Sequence, residues 1–212
     1  MHSDVLIVAR PDRRPTIECC GGVAARLTET DTVHLVSAAA TPLGGDSIAV
    51  RVIVEPGARL RVRSAAATVA LPGRGTAEST SHWHVEVAGE LDVDPEPTVV
   101  AGGSRHTTST RLSVEASGRV RLRERVQIGR TDERQGFWSG SLHADVGGRP
   151  LLRHRIEMGD DSTAHDLIAA PLASVSELRY PDIAHDAVGT VLELADGGSL
   201  ATWQGRRLGA AN

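Results

Sequence analysis

The feature that most restricts this chain is a hydrophobic period of two that recurs along much of its length. Val50, Val52 and Val54 share one face of residues 49–54. Across residues 59–68, Leu60, Val62, Ser64, Ala66 and Thr68 fall on one side, with Arg59, Arg61 and Arg63 on the other. Leu112, Val114 and Ala116 alternate with Arg111, Ser113 and Glu115. Successive strand residues point to opposite faces, so alternation of this length specifies half-buried strands. Turn residues separate the runs, among them Pro42-Leu43-Gly44-Gly45, Glu55-Pro56-Gly57, Leu71-Pro72-Gly73 and Gly147-Gly148. Many short strands punctuated in this way predict a mainly β architecture of stacked sheets. About two short helices are expected in the C-terminal half: one over residues 173–179, stopped by Pro181, and a turn near residues 162–170. There is no fixed-period repeat and no long linker, so residues 1–212 read as a single domain.

Composition narrows the function classes. Three Trp, one Tyr and one Phe leave a core of Val, Leu, Ile and Ala, whose side chains bury less area each than aromatic ones. The net charge of −4 and pI near 6.1 lack the basic excess of a nucleic-acid-binding protein. All 23 basic residues are Arg, which favours planar, bidentate ion pairs. Cys19 and Cys20 are adjacent, so on a strand they face opposite ways and make a poor metal clamp; they are expected to be ordinary buried or reduced thiols. The apolar run at residues 5–9 is too short for a signal peptide, and no stretch approaches the ~18 apolar residues of a membrane span. A cytoplasmic protein without membrane or nucleic-acid partners is the expectation.

Few residues are placed for chemistry. Walker A, His-Glu-x-x-His, Gly-x-Ser-x-Gly and dinucleotide fingerprints are all missing. If residues 119–128 form one strand, Arg119, Arg121, Arg123 and Arg125 line one face, and Val120, Leu122, Val126 and Ile128 line the other. Glu124 then interrupts the apolar face, where a carboxylate must be paired, protonated or wet. A structural ion pair with an Arg from another strand and a functional carboxylate are both open readings. His82, His84 and Glu86 share a strand face opposite Trp83, Val85 and Val87. Two imidazoles and a carboxylate suit nickel or zinc, and a small metalloenzyme built on them is one alternative function. The ordinary antiparallel pattern makes the same face simply the wet one. His154 alternates with Leu152, Ile156 and Met158 and reads as a satisfied core histidine. The acidic, proline-stiffened residues 92–97 read as a surface connection or as a loop that contacts a partner.

Several motifs in order resemble the UreD (UreH) family of urease accessory proteins. Gly44-Gly45-Asp46, Pro56-Gly57-Ala58 and Ala66-Ala67-Thr68 match its signature region. Asp94-Pro95-Glu96-Pro97, the Glu-bearing strand at 122–128 with Gly129-Arg130, then Phe137, Gly140 and Arg207-Leu208-Gly209 continue the match. Arg134-Gln135 stands where the family commonly has a Gly-Glu pair, with Glu133 adjacent. The resemblance implies a solenoid-like β fold with no catalysis of its own. It implies binding to the urease apoprotein subunits in a complex with a UreF-like protein and a UreG-like GTPase. It also implies passage of a transient nickel ion through a water-filled tunnel, with no tightly bound cofactor. Carried over residue by residue, Asp46 and Glu124 become metal-path candidates, and Ser64 and Thr68 tunnel-lining ones. A generic β-solenoid binding module is the remaining alternative.

An aromatic-poor core beside a partner surface has a measurable consequence. The chain expressed alone is expected to aggregate, and co-expression with the UreF-like partner is expected to raise its soluble yield. A monodisperse, thermally robust monomer on size exclusion would contradict this.

Overall fold

The computed structural model describes residues 1–163, 170–184 and 188–210. The alternating segments form strands β1 (His2–Ala9), β2 (Thr16–Cys20), β3 (Val23–Leu27), β4 (Thr32–Ser37), β5 (Ser47–Val54) and β6 (Arg59–Ser64). They continue as β7 (Thr68–Ala70), β8 (Glu78–Val87), β9 (Glu90–Val93), β10 (Thr98–Val100), β11 (Arg105–Val114) and β12 (Arg119–Ile128). The last are β13 (Phe137–Val146), β14 (Arg149–Gly159), β15 (Ala173–Tyr180), β16 (Thr190–Glu193) and β17 (Ser199–Gly205), before a 3-10 turn at Leu208–Ala210.

One seven-stranded sheet has the order β14-β13-β11-β8-β5-β1-β2. Its inner strands β1, β5, β8, β11 and β13 are all parallel, and only the edges β2 and β14 are antiparallel. The second sheet runs β16-β17-β15-β12-β9-β6-β4-β3, with β7 and β10 attached through β12. The chain alternates between the two sheets: β5 is followed by β6, β8 by β9, and β11 by β12. Parallel neighbours joined by such crossings make coils of a β-solenoid. Each crossing is tight. A Cβ added to Gly89 would lie 2.2 Å from the Ala58 carbonyl oxygen, so only glycine lets the corner between β8 and β9 stack on the coil before it.

Residues 173–179 are not helical. They lie in β15, with Leu178 opposite Leu122 of β12 on one side and opposite Leu200 of β17 on the other. Pairing on both edges outweighs local propensity in a segment this short. Of the second expected turn, residues 164–169 lie outside the described residues, and the described residues contain no α-helix. The alternating run at 59–68 also divides: β6 ends at Ser64, Ala65 to Ala67 are exposed, and β7 begins at Thr68.

In-register stacking builds the core. Val52, Val85, Leu112 and Ala144 stand side by side across β5, β8, β11 and β13, and Val54, Val87, Val114 and Val146 form the next row. They pack against Leu60, Val62, Leu91, Val93, Val120 and Leu122 of the facing sheet. A smaller cluster at the other end of these strands contains Ala70, Val100, Val126, Ile128, Trp138 and Met158. Leu112 is 1% exposed at the centre of the larger cluster. Leu112→Ala is expected to lower unfolding free energy by about 2–5 kcal/mol, measured by urea denaturation, because the rigid sheets cannot close over the hole.

A polar cavity inside the solenoid

Between the two apolar clusters the inward rows change character. Val50, Trp83, Thr110 and Leu142 form one row, Ile48, Ser81, Thr108 and Gly140 the next, and Ser79, His106 and Trp138 the one after. On the facing sheet, Glu124 occupies the inward position between Leu122 and Val126. Its place on β12 is special. β12 pairs with β9 up to Leu122 and with β10 only from Val126, so no parallel neighbour flanks Glu124. The same corner in the preceding coils is formed by Ala65-Ala66-Ala67 and by Asp94-Pro95-Glu96-Pro97. A cavity of about 290 Å³ lies at this gap, lined by Ser64, Thr68, Thr98, His106, Thr110 and Glu124 among others.

Glu124 has no hydrogen bond or ion pair with the described residues. The arginine row on the opposite face of its strand pairs with other carboxylates, Arg123 only loosely, at 3.9 Å from Asp94 and 3.7 Å from Glu177. Arg121 reaches Asp92 at 3.1 Å and Glu177 at 2.9 Å, Arg125 reaches Asp94 at 3.1 Å, and Arg119 reaches Asp182 at 2.6 Å. Arg63 also holds Asp92, at 2.5 Å. Among the described residues no arginine pairs with Glu124, and the arginines of its own strand alternate onto the opposite face. Burial without a counter-charge pushes its carboxyl up to about 7. The same network takes up the acidic residues of the 92–97 crossover, whose Pro95 carbonyl also accepts from Arg125 at 2.7 Å.

The other candidates separate. Ser64 lines the cavity, but its hydroxyl donates to the Ala66 carbonyl and accepts from the Glu96 N–H, both at 2.9 Å, tying two corners together. Thr68 lines the cavity as well. Asp46 stands apart from it: its carboxylate accepts from the Met1 amino group, the Thr41 hydroxyl and the Leu43 N–H, at 2.5, 3.0 and 2.8 Å. Desolvation opposes ionisation of Asp46, but these hydrogen bonds prevail and its pKa is lowered. His82 and His84 are exposed; His82 bonds the Ser109 hydroxyl at 2.7 Å, and His84 lies 3.6 Å from Glu86. Among the described residues, no group of three or more His, Cys, Asp or Glu is placed to hold a metal ion. Cys19 and Cys20, expected to be ordinary buried or reduced thiols, are free and exposed on edge strand β2. Glu133 caps the corner beside the Arg134-Gln135 departure, accepting from the Gly102 and Arg130 N–H groups and from the Arg130 guanidinium, which holds its pKa down at about 2.

His106 was not signalled by any motif. It is 2% exposed, and its ring nitrogens bond the Ser79 and Ser81 hydroxyls at 2.8 and 3.2 Å. Burial, with a smaller contribution from His82, pushes its pKa down to about 4, so it is neutral near pH 7. Continuing the alternation of Leu112 and Thr110 back to residue 106 would have placed it inside. His154, read as a satisfied core histidine, is only half-buried and is not satisfied: its Nε2 has no hydrogen-bond partner.

The fold and the cavity together define a β-solenoid with a polar interior gathered around one unpaired carboxylate. A model of the family described as UreD urease accessory protein matches residues 23–207. The chain is 38% identical over 85% of its length to urease accessory protein UreD 1 of Saccharopolyspora erythraea, covering 74% of that protein. It is 45% identical over 71% of its length to urease accessory protein UreD of Frankia alni, covering 48% of that protein, and 38% identical over 76% to that of Frankia casuarinae, covering 56%. The chain belongs to the UreD family of urease accessory proteins. Those names describe accessory proteins rather than enzymes. No helix among the described residues is long and apolar enough to cross a membrane.

The carboxyl of Glu124 gives the folded state a pH dependence of defined sign. A carboxyl whose pKa rises from 4.5 to about 7 on folding favours the folded state while protonated, and that contribution is lost as the pH rises through about 7. Glu124→Gln cannot ionise. Its stability relative to the unsubstituted chain is expected to grow from pH 5 to pH 8, by at most about 1.4 kcal/mol per pH unit. Parallel urea titrations at the two pH values check this, and a difference that stays flat between them would indicate a paired carboxylate already ionised at pH 5.

Proposed function

We propose that this chain acts in the cytosol as a urease maturation factor that binds the urease apoprotein with a UreF-like protein and a UreG-like GTPase. In this reading its interior passes nickel, as cargo, toward the urease active site. The observation that carries the reading is the unpaired Glu124 on the wall of a polar cavity inside an otherwise apolar sheet stack. Family membership supports the urease connection.

The chemistry fits transit. Hydroxyl and carboxylate oxygens hold a first-row cation weakly in comparison with several imidazoles or thiolates, so an ion that enters can also leave. Serine and threonine hydroxyls lining the cavity can satisfy water, which keeps the carboxylate solvated without a counter-charge. A neutral His106 adds no positive charge to repel a cation.

Glu124→Gln is isosteric and strands no partner charge, so the complex is expected to assemble normally while nickel delivery falls. Pull-down measures assembly, and elemental analysis measures nickel per urease active site. Loss of assembly would return Glu124 to a structural role, and full nickel loading would remove it from the path. Replacing His82 and His84 with Gln serves as the control and should leave both readouts unchanged.

A further inference from the structure

Glu124 faces two spaces. Besides the cavity at the corner gap, it lines a second void of about 10 Å³, the size that holds one water. Thr110 and Leu122 also line both spaces, so the void lies directly behind the cavity wall that these three residues form. On its far side stands His154 of β14, with Ser176 of β15 beside it. His154 lies opposite Leu142, in the inward row that includes Thr110.

Both titratable groups on this void lack a protein partner among the described residues, His154 Nε2 being sealed from solvent and the Glu124 carboxylate half-buried and open to the cavity. His154 Nε2 is buried and bonds to nothing, and the Glu124 carboxylate bonds to nothing among the described residues. Orphaned buried nitrogens are uncommon, and one at a water-sized void beside an orphaned carboxylate marks a position for a small polar guest. The remaining lining is hydroxyl or apolar: Thr110, Ser141 and Ser176, with Leu122, Trp138 and Ile156. Gly140 helps to shape the space, since a Cβ there would lie 2.2 Å from the Trp138 indole.

We propose that Glu124 and His154 form a two-ligand station for a divalent first-row metal cation, one carboxylate oxygen and His154 Nε2 binding it while water and the neighbouring hydroxyls complete its shell. This rests on the reading of the interior as a metal path, and it adds the residue that gives the path its selectivity. Oxygen ligands alone accept Mg²⁺ and Ca²⁺, whereas an imidazole nitrogen favours nickel, copper and zinc. One carboxylate leaves a divalent ion with excess positive charge, which keeps occupancy transient. His154 therefore selects, and Glu124 attracts.

The test uses the full chain co-purified with its partner proteins. Crystals of that complex are soaked in nickel chloride and recorded at the nickel absorption edge. An anomalous peak between Glu124 and His154 is expected, and an ordered water only, or a peak elsewhere, overturns the proposal. In solution, nickel per urease active site is compared for Glu124→Gln and for His154→Gln, with and without excess Mg²⁺. Both variants are expected to lower loading by about tenfold or more, as loss of groups that support a metal site does. In His154→Gln the deficit is expected to deepen with Mg²⁺. If Glu124→Gln lowers loading and His154→Gln does not, the path stands and the station falls. If neither lowers it, both readings fall together. Should His154→Gln fail to assemble, the anomalous map of the unsubstituted complex decides.

Discussion

The parallel ladder joining β5, β8, β11 and β13 sets everything else in this molecule. Because the strands stack in register, residues of successive coils stand in rows, and a change of chemistry along one strand is copied across the sheet. Rows of Val, Leu and Ala make one end of the interior dry. Rows carrying Ser79, Ser81, His106, Thr108 and Thr110 make the middle wet. Neither could exist singly: one hydroxyl in a dry core is a defect, whereas an aligned set can share water.

Glu124 draws its character from the break in the second sheet. Where β12 passes from β9 to β10, the ladder has no parallel neighbour, and the proline-rich crossover and the three alanines at 65–67 line the cavity instead. The opening lets a carboxylate stay inside without a cation. Strand parity supplies the other half of the arrangement, because Arg119, Arg121, Arg123 and Arg125 lie on the outer face and are neutralised there by Asp92, Asp94, Glu177 and Asp182.

Much of this was legible from residues alone. The alternation at 50–54, 112–116 and 119–128 places the core strands, and its interruption at Glu124 marks the site. Residues 173–179 misled because a Leu-, Ser- and Ala-containing stretch ahead of a proline carries no local sign of the two strands that pair with it. The coils have no sequence repeat, since β-solenoid stacking demands only parity and a tight corner, as at Gly89. Asp46 was nominated for the path by resemblance, yet its oxygens serve the turn before β5, a role visible only once Thr41, Leu43 and Met1 are seen around it. His106 and His154 were missed as cavity residues because nothing local separates an inward histidine that bonds two serines from one that bonds nothing.

The central claim is that Glu124 is a half-buried, inward-facing carboxylate solvated by cavity water rather than by a counter-ion. High-resolution crystallography of the chain in complex with its partners tests it most directly. Ordered water within hydrogen-bond distance of both Glu124 oxygens, continuous toward Thr110 and His154, is the predicted result, with no guanidinium within 4 Å. A dry cavity, or an arginine folded inward onto Glu124, would contradict the account.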